Sequence, residues 1–231
     1  MLTREVRLAG AVVPATLLVG TVSQWTPRRW VESLSRVLPV KQLSPASDAP
    51  PPTETAVIVP VPAADSLVDE HRRHLDAAAS WGVPAHVSVL YPFVEPDQVD
   101  GHLVANLAAV FGSLAAFDCR FSRTQWFGQD VLWLDPEPAQ PFRDLTAAVW
   151  GAFPNHPPYG GAHDDVVPHL TIAERRLGSL SAVQRAEQAV QTGLPLFAHI
   201  ERVLLIAGTQ APNSWRVLHE FRLGTARNGT R

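Results

Sequence analysis

The sequence is poor in cysteine, since Cys119 is the only one among its 231 residues. An intrachain disulfide is therefore impossible, and we expect a protein of a reducing compartment, the cytoplasm. No motif typical of a nucleophile surrounds this thiol. The sequence also lacks a G-x-S-x-G elbow, a GxxxxGK(S/T) phosphate loop and a GxGxxG stretch after a predicted strand. These absences exclude the hydrolase and nucleotide-binding classes that such motifs mark.

The sequence has little net charge, because 19 basic residues face 22 acidic ones and the formal balance is −3. A general electrostatic attraction to nucleic acid is therefore excluded, and any anion-binding surface must be local. Hydrophobic residues make up 46% and charged residues 18% of the chain, which is typical of globular proteins. The length suffices for one large domain or two small lobes with a sizeable core.

A hydrophobic run long enough to span a membrane is also missing. Residues 8–22 are apolar and follow Arg4 and Arg7, but they include Pro14, fall short of the ~20 residues of a spanning helix and lack a small-x-small cleavage site. We expect no stable membrane association. A membrane or export segment, a poorly ordered extension and translated upstream sequence remain the alternatives for this stretch.

The domain organisation follows from a change in composition. Residues 44–53 (SPASDAPPPT) are rich in Pro, Ser and Ala and indicate a linker. We therefore expect a poorly ordered N-terminal extension and linker over residues 1–53, a folded two-lobed domain over residues 54–224 and a short tail over residues 225–231.

Strand and helix patterns alternate along the folded part. They predict a mixed α+β protein, which we expect to be a monomer. Strands are predicted at residues 55–61, 85–90, 117–127 and 131–134 and near 197–208 and 215–223, and helices at 64–80, 97–114, 142–153 and 179–191.

Two short motifs carry most of the functional information. The segments HVSVL and HLTIA begin at His86 and His169, and each consists of a histidine, an apolar residue, a hydroxyl residue and two more apolar residues. Side chains alternate between the faces of a strand, so His86 shares a face with Ser88, and His169 with Thr171. Packing does not require polar groups there, which points to a cleft.

The two motifs occupy equivalent places in an internal repeat. The histidines lie 83 residues apart, and the same shift superposes residues 117–134 on residues 200–217. Each motif is followed by a predicted helix, a strand, a turn and another strand. The repeat predicts two similar lobes related by a pseudo-twofold axis, with one motif on each side of the cleft between them.

Paired H-x-(S/T)-h motifs about eighty residues apart resemble those of the 2H phosphoesterase superfamily, also called the 2′-5′ RNA ligase-like family. The strings GVPAHVSVLYPF and PPYGGAHDDVVPHLTIAE resemble an uncharacterised bacterial branch of it, and the resemblance covers residues 55–223. It implies a bilobal α+β fold with two antiparallel sheets and outer helices around a central cleft. It also implies metal-independent, cofactor-free chemistry on 2′,3′-cyclic or 2′-5′-linked phosphates of nucleotides or RNA ends, as in RNA processing. Ser88 replaces the commoner threonine and retains the hydroxyl.

The motif residues suit that chemistry. Opening a cyclic phosphodiester requires one group that removes a proton from water and another that protonates the departing ribose oxygen, and His86 and His169 are the candidates. Ser88 and Thr171 can donate hydrogen bonds to the phosphate oxygens. Which histidine is base and which is acid stays open, and the reverse reaction would be 2′-5′ RNA ligation. The alternative is a non-catalytic protein that binds or senses a nucleotide or RNA end.

Aromatic residues are candidates for substrate binding because bases stack on rings. Trp126 and Phe127 lie in the predicted hairpin after the first motif, and Tyr159 lies in the loop before the second, with core packing as the default for the first two. Strand parity places Tyr91 opposite His86, in the core. Arg123, Arg175 and Arg176 are candidates for further phosphate contacts or are simply solvated.

The residues just before the second motif offer an alternative, a metal site formed by His163, Asp164 and Asp165. His169 would then have to serve both as ligand and as catalyst, and no second ligand cluster has suitable spacing. We therefore expect neither metal nor cofactor, and we assign the two aspartates to ordering the loop or orienting a neighbour.

Overall fold

The computed structural model describes residues 51–162 and 166–225. The predicted extension up to residue 50, the tail from residue 226 and the segment with His163, Asp164 and Asp165 lie outside the described residues. Within the described part, none of the helices has the length and hydropathy needed to cross a bilayer.

Strands and helices follow the predicted order along the described chain. The strands are β1 (Glu54–Pro60), β2 (His86–Leu90), β3 (Phe117–Phe127), β4 (Val131–Glu137), β5 (Leu170–Glu174), β6 (Leu196–Ile200), β7 (Arg202–Gly208) and β8 (Arg216–Arg222). The α-helices are α1 (Asp65–Leu75), α2 (Ala77–Ser80), α3 (Gly101–Ser113), α4 (Gln140–Ala152) and α5 (Leu180–Gln191).

The strands form two four-stranded antiparallel sheets, which confirms the predicted α+β class and its two-sheet architecture. The first sheet has the order β2-β1-β7-β8 and the second the order β5-β4-β3-β6. Each motif strand is therefore an edge strand of its sheet. We call the part of the domain built on the first sheet the first lobe and the part built on the second sheet the second lobe. In the sequence, the shift of 83 residues superposes β4 on β8. In the sheets, however, β4 lies next to the motif strand and so corresponds to β1. The lobes are thus not consecutive halves of the chain.

A single core joins the two lobes. Helix α1 precedes β2 but packs on β5, and α4 precedes β5 but packs on β2. The helices can do so because each has an apolar face, which includes Val68 and Leu75 in α1 and Phe142 and Val149 in α4. Each fully buried side chain of this kind contributes roughly 1.5–3 kcal/mol. The exchange of helices holds the motif strands side by side.

Strand β1, which lies next to the motif strand of the first lobe, is buried on both faces. Val57 and Val59 of β1 face the main core, while Ala56 and Ile58 belong to a second apolar cluster on the other face. This is why the segment AVIV is continuously apolar and does not alternate. The second cluster forms one wall of the cleft described below.

The predicted helix over residues 64–80 is wrong at Asp76, where the chain breaks into two helices. Asp76 is extended (φ −129°, ψ 121°), and its carboxylate accepts a hydrogen bond from the N–H of Ala78, so that it caps α2. Aspartate competes with the helical backbone in this way and favours caps over helix interiors. Two other predicted elements are also divided: Pro96–Gln98 forms a 3₁₀ turn ahead of α3, and the strand predicted near 197–208 is β6 followed by β7.

Both motif strands contain a β-bulge at the same place. The register of β2 against β1 goes from Ser88 to Leu90, and that of β5 against β4 goes from Thr171 to Ala173, so one extra residue is inserted each time. A bulge reverses the alternation of side chains beyond it. The prediction that Tyr91 packs in the core is therefore wrong, because the bulge returns Tyr91 to the face of the histidine.

Candidate active site

The described residues of the two lobes line a cleft of about 590 Å³. The four motif residues meet there: His86 and Ser88 from the first lobe, and His169 and Thr171 from the second. Strand alternation and the side-by-side placement of β2 and β5 account for this arrangement. The same cleft contains most of the second apolar cluster, so that a polar centre adjoins an apolar wall.

Each of the two histidines makes the same type of hydrogen bond to the backbone. The Nδ1 atom of His86 lies 2.8 Å from the carbonyl oxygen of Pro84, and that of His169 lies 2.7 Å from the carbonyl oxygen of Val167. A carbonyl oxygen only accepts, so Nδ1 carries the proton in each ring. In the neutral ring, Nε2 is then the basic nitrogen, and it is the one that can take up a proton.

The environment keeps both rings uncharged at neutral pH. Burial, followed by the charge of Arg72, lowers the pKa of His86 to about 4, and the nearby His169 acts in the same direction. Burial also lowers the pKa of His169, against the opposing effect of its backbone hydrogen bond. A proton that either ring donates must therefore be taken up together with an anionic ligand, whose charge favours the imidazolium.

Charged residues that sequence reasoning missed lie in the same cleft. Glu174, the residue after the bulge in β5, accepts hydrogen bonds from the N–H of Ala77 at 3.0 Å and from Arg176 Nε at 2.5 Å. Asp76 lines the cleft as well, and burial raises the pKa of its carboxyl despite Arg72. The bond from Ala77 to Glu174 ties the first lobe to the second.

The apolar wall of the first lobe is aromatic. Trp81, Tyr91 and Trp215 line the cleft, and the last two rings meet edge to face with their centroids 6.3 Å apart. The Tyr91 hydroxyl donates to Glu54 Oε2 at 2.7 Å, and burial and this bond raise the pKa of Tyr91 to about 12. The buried Trp215 Nε1 has no hydrogen-bond partner among the described residues. The signal available for Trp81 in the sequence was its place only four residues ahead of the motif strand predicted at residues 85–90.

Two of the three aromatic residues predicted to bind substrate line the cleft. Phe127 stacks on Trp133 at 4.8 Å and meets the His169 ring edge to face at 4.9 Å. Tyr159 is the second, and burial raises its pKa. Trp126 lies elsewhere: its indole N–H donates to Glu187 at 3.0 Å, and its ring packs against the main core.

The three candidate arginines are also separated. Arg176 lines the cleft, whereas Arg123 is paired with Asp135 on the exposed side of β3, and Arg175 donates to the carbonyl of Gly178. Within the two described ranges, no three His, Cys, Asp or Glu side chains are grouped as a metal ion would require. The alternative metal site at residues 163–165 falls outside those ranges.

Comparison with known proteins gives one family and one fold. The profile of the 2′-5′ RNA ligase superfamily matches residues 59–210. The crystal structure of TT0787 from Thermus thermophilus is similar to this chain, with a TM-score of 0.53 and 18% identity over 75% of this chain and 100% of that chain. The crystal structure of Escherichia coli LigT complexed with 3′-AMP matches with a TM-score of 0.49 and 16% identity over 75% of this chain and 99% of that chain. No curated protein sequence matches. At these identities the structural likeness concerns the fold.

Proposed function

Since the chain belongs to the 2′-5′ RNA ligase superfamily, we propose that its cleft hydrolyses 2′,3′-cyclic phosphodiesters of nucleotides or RNA ends, without a metal, through His86 and His169. Membership supports an activity of the 2H phosphoesterase type. The finer assignment rests on one observation. Two imidazoles, each with its Nδ1 hydrogen-bonded to a backbone carbonyl oxygen, share a cleft with two hydroxyl groups.

In the proposed step, water attacks the phosphorus atom and the bond from phosphorus to O3′ breaks. One neutral histidine takes the water proton on Nε2, and the other, protonated when the anionic substrate binds, gives its proton to O3′. The product is a 2′-phosphate and a free 3′-hydroxyl. Each histidine is expected to contribute about 10²–10⁴-fold. The two roles exchange in the reverse direction, which would join ends through a 2′-5′ bond.

The hydroxyl groups of Ser88 and Thr171 are proposed to donate hydrogen bonds to the non-bridging phosphate oxygens. Negative charge develops on these oxygens in the transition state, and donors already in place stabilise it. Both side chains are partly exposed in the cleft, within the two motif strands. A strand holds them more rigidly than a loop would.

The base or the next nucleotide of the substrate is proposed to contact the aromatic walls. Trp81 and Trp215 offer ring surface on the first lobe, Phe127 offers it on the second, and Tyr159 offers it from the loop ahead of the second motif. Stacking of one base on such a ring contributes about 1–3 kcal/mol. Trp126 has no part in this proposal because it lies outside the cleft. We expect a monomer to suffice, since both motifs come from one chain.

The test uses the full chain with each of the four 2′,3′-cyclic nucleotides and with a short RNA ending in a 2′,3′-cyclic phosphate. Reactions contain excess EDTA, span pH 5 to 9 and are followed by chromatography of the products. The proposal predicts a 2′-phosphate product and a bell-shaped pH profile of kcat, because the bound anion raises the pKa of both imidazoles. Binding without turnover of any of these substrates would favour the sensing alternative, and turnover that requires added metal would contradict the metal-free mechanism.

A further inference from the structure

A buried arginine lies directly behind the first motif. Arg72 of α1 is only 2% exposed, and its Nε donates to Oδ2 of Asp76 at 2.9 Å, where Asp76 is 3% exposed. Burying an ion pair costs several kcal/mol per ion in lost hydration, and apolar replacements of such pairs are often as stable. Stability is therefore a weak explanation for this pair, and its contacts suggest another.

Arg72 and His86 share one acceptor. Arg72 Nη2 donates to the carbonyl oxygens of Val83 and Pro84, both at 3.2 Å, and the Pro84 oxygen also accepts from His86 Nδ1 at 2.8 Å. A carbonyl oxygen has two lone pairs and can accept both bonds. The guanidinium thus holds in place the atom that orients the imidazole, as residues behind a ligating or catalytic histidine commonly do.

The second motif has a different arrangement at this point. Arg143 lies in α4, the helix that corresponds to α1, and its Nε donates to the carbonyl of Val166 at 3.3 Å. The oxygen that accepts from His169 is that of Val167, one residue later. The two histidines therefore have matching motifs but unequal surroundings, and the cation acts directly on the His86 side.

We propose that Arg72 is a positioning residue, which acts through the Pro84 carbonyl to fix the Nδ1-protonated form of His86 and whose charge adds to the effect of burial in keeping that ring neutral until an anion enters the cleft. The catalytic meaning of this inference rests on the proposed function. The other ionisable groups of the cleft near His86 are His169, Glu174 and Arg176 from the second lobe, Asp76 at the start of α2, and the phenols of Tyr91 and Tyr159. Asp76 takes the Nε side of the guanidinium, while Nη2 stays on the carbonyls next to His86.

The test measures the two histidines in the empty protein. Removing Arg72 alone would leave Asp76 buried and unpaired and would destabilise the fold. The main variant is therefore Arg72→Met with Asp76→Asn, which keeps an acceptor oxygen for the N–H of Ala78. NMR titration of the ring protons, assigned with His86→Asn and His169→Asn, gives both midpoints. We expect the His86 midpoint to rise by about one pH unit or more and that of His169 to move much less.

Two further variants sharpen the result. Arg73→Met changes the exposed arginine next in sequence and should leave both midpoints in place. Arg72→Lys keeps the charge but lacks the fork that reaches Asp76 and the carbonyls together. It should keep His86 neutral while ¹⁵N shifts report a smaller fraction of the Nδ1-protonated form. This variant decides the question if the double variant does not fold.

An unmoved His86 midpoint, or equal movement of both midpoints, would overturn the inference. These titrations need no turnover, so they remain decisive if the protein hydrolyses none of the substrates, and the two failures can be told apart. If it is active, the limb of the kcat/KM profile that belongs to His86 should move to higher pH in the double variant and not in Arg73→Met.

Discussion

Tyr91 and Glu174 occupy the same place in the two lobes, since each is the third residue after the motif hydroxyl and follows a β-bulge that returns it to the cleft. Their chemistry differs. The phenol of Tyr91 binds Glu54 within its own lobe, whereas the carboxylate of Glu174 accepts from the N–H of Ala77 in the other lobe. The two lobes thus have equivalent positions with different roles. Tyr91 is part of the aromatic wall, and Glu174 forms the contact between the lobes.

Glu174 is expected to stabilise the joined lobes. Glu174→Ala leaves the partly buried N–H of Ala77 without its acceptor and Arg176 without its partner, which should lower the unfolding free energy by about 1–3 kcal/mol. Glu174→Gln keeps an acceptor oxygen and should lose much less. Urea unfolding of the three proteins measures this, and equal losses in the two variants would show that the hydrogen bond to Ala77 contributes nothing.

Stability should fall in mild acid because of His86. Its pKa of about 4 in the folded protein lies below the ordinary value of 6.5, so the unfolded chain binds more protons between these two pH values. The unfolding free energy of the wild type, relative to His86→Asn, should therefore fall as the pH decreases from 7 to 4. About 3 kcal/mol is the upper limit, because the ring is partly exposed in the cleft. His74→Asn, at an exposed position of α1, should follow the wild type at each pH, and a constant difference between wild type and His86→Asn would contradict the account.

Anion binding should be linked to proton uptake, because both cleft histidines are neutral when the cleft is empty. Inorganic sulfate is a suitable probe, since its own charge is constant across the range. We expect it to bind about tenfold more tightly at pH 5 than at pH 8, with net proton uptake. Calorimetry in buffers of different ionisation enthalpy gives both quantities, and an affinity independent of pH would show that no histidine is protonated on binding.

The aromatic wall of the first lobe should affect binding more than chemistry. Trp81→Leu keeps the backbone bond from Trp215 N to the carbonyl of Trp81 but removes ring surface, so KM for a 2′,3′-cyclic nucleotide should rise about tenfold with a smaller change in kcat. Trp150→Leu, at a half-exposed residue of α4 that does not line the cleft, is the matched control. If both variants keep the wild-type KM, the base does not stack on Trp81.

The sequence was sufficient for the parts of the site that are local. The spacing of histidine and hydroxyl within a five-residue strand places both on one face, and the repeat brings two such strands together. The bulges at Val89 and Ile172 could not be predicted, because the extra residue is set by pairing with a distant strand. They reverse strand parity for the next residues, and this is why parity alone assigns Tyr91 to the core.

The remaining differences have the same physical origin, in contacts between distant parts of the chain. Asp76 ends α1 because its carboxylate is used by Arg72 and by the N–H of Ala78, whereas the sequence around it continues a helical pattern. Trp215 reaches the cleft from just ahead of a strand, β8, that only the sheet order brings there, and Glu174 reaches it because the bulge in β5 reverses strand parity. The continuous apolar pattern of β1 is compatible with burial on both faces, but it does not reveal that one of these faces forms a cleft wall.

The catalytic roles of His86 and His169 are measured by the rate at which His86→Ala and His169→Ala hydrolyse the best 2′,3′-cyclic substrate in excess EDTA. If the two imidazoles act as base and acid, each substitution lowers kcat by about 10²–10⁴-fold. Sulfate affinity at pH 8 then stays close to that of the wild type, and His74→Ala keeps the wild-type rate. Wild-type rates in both cleft variants would contradict these roles.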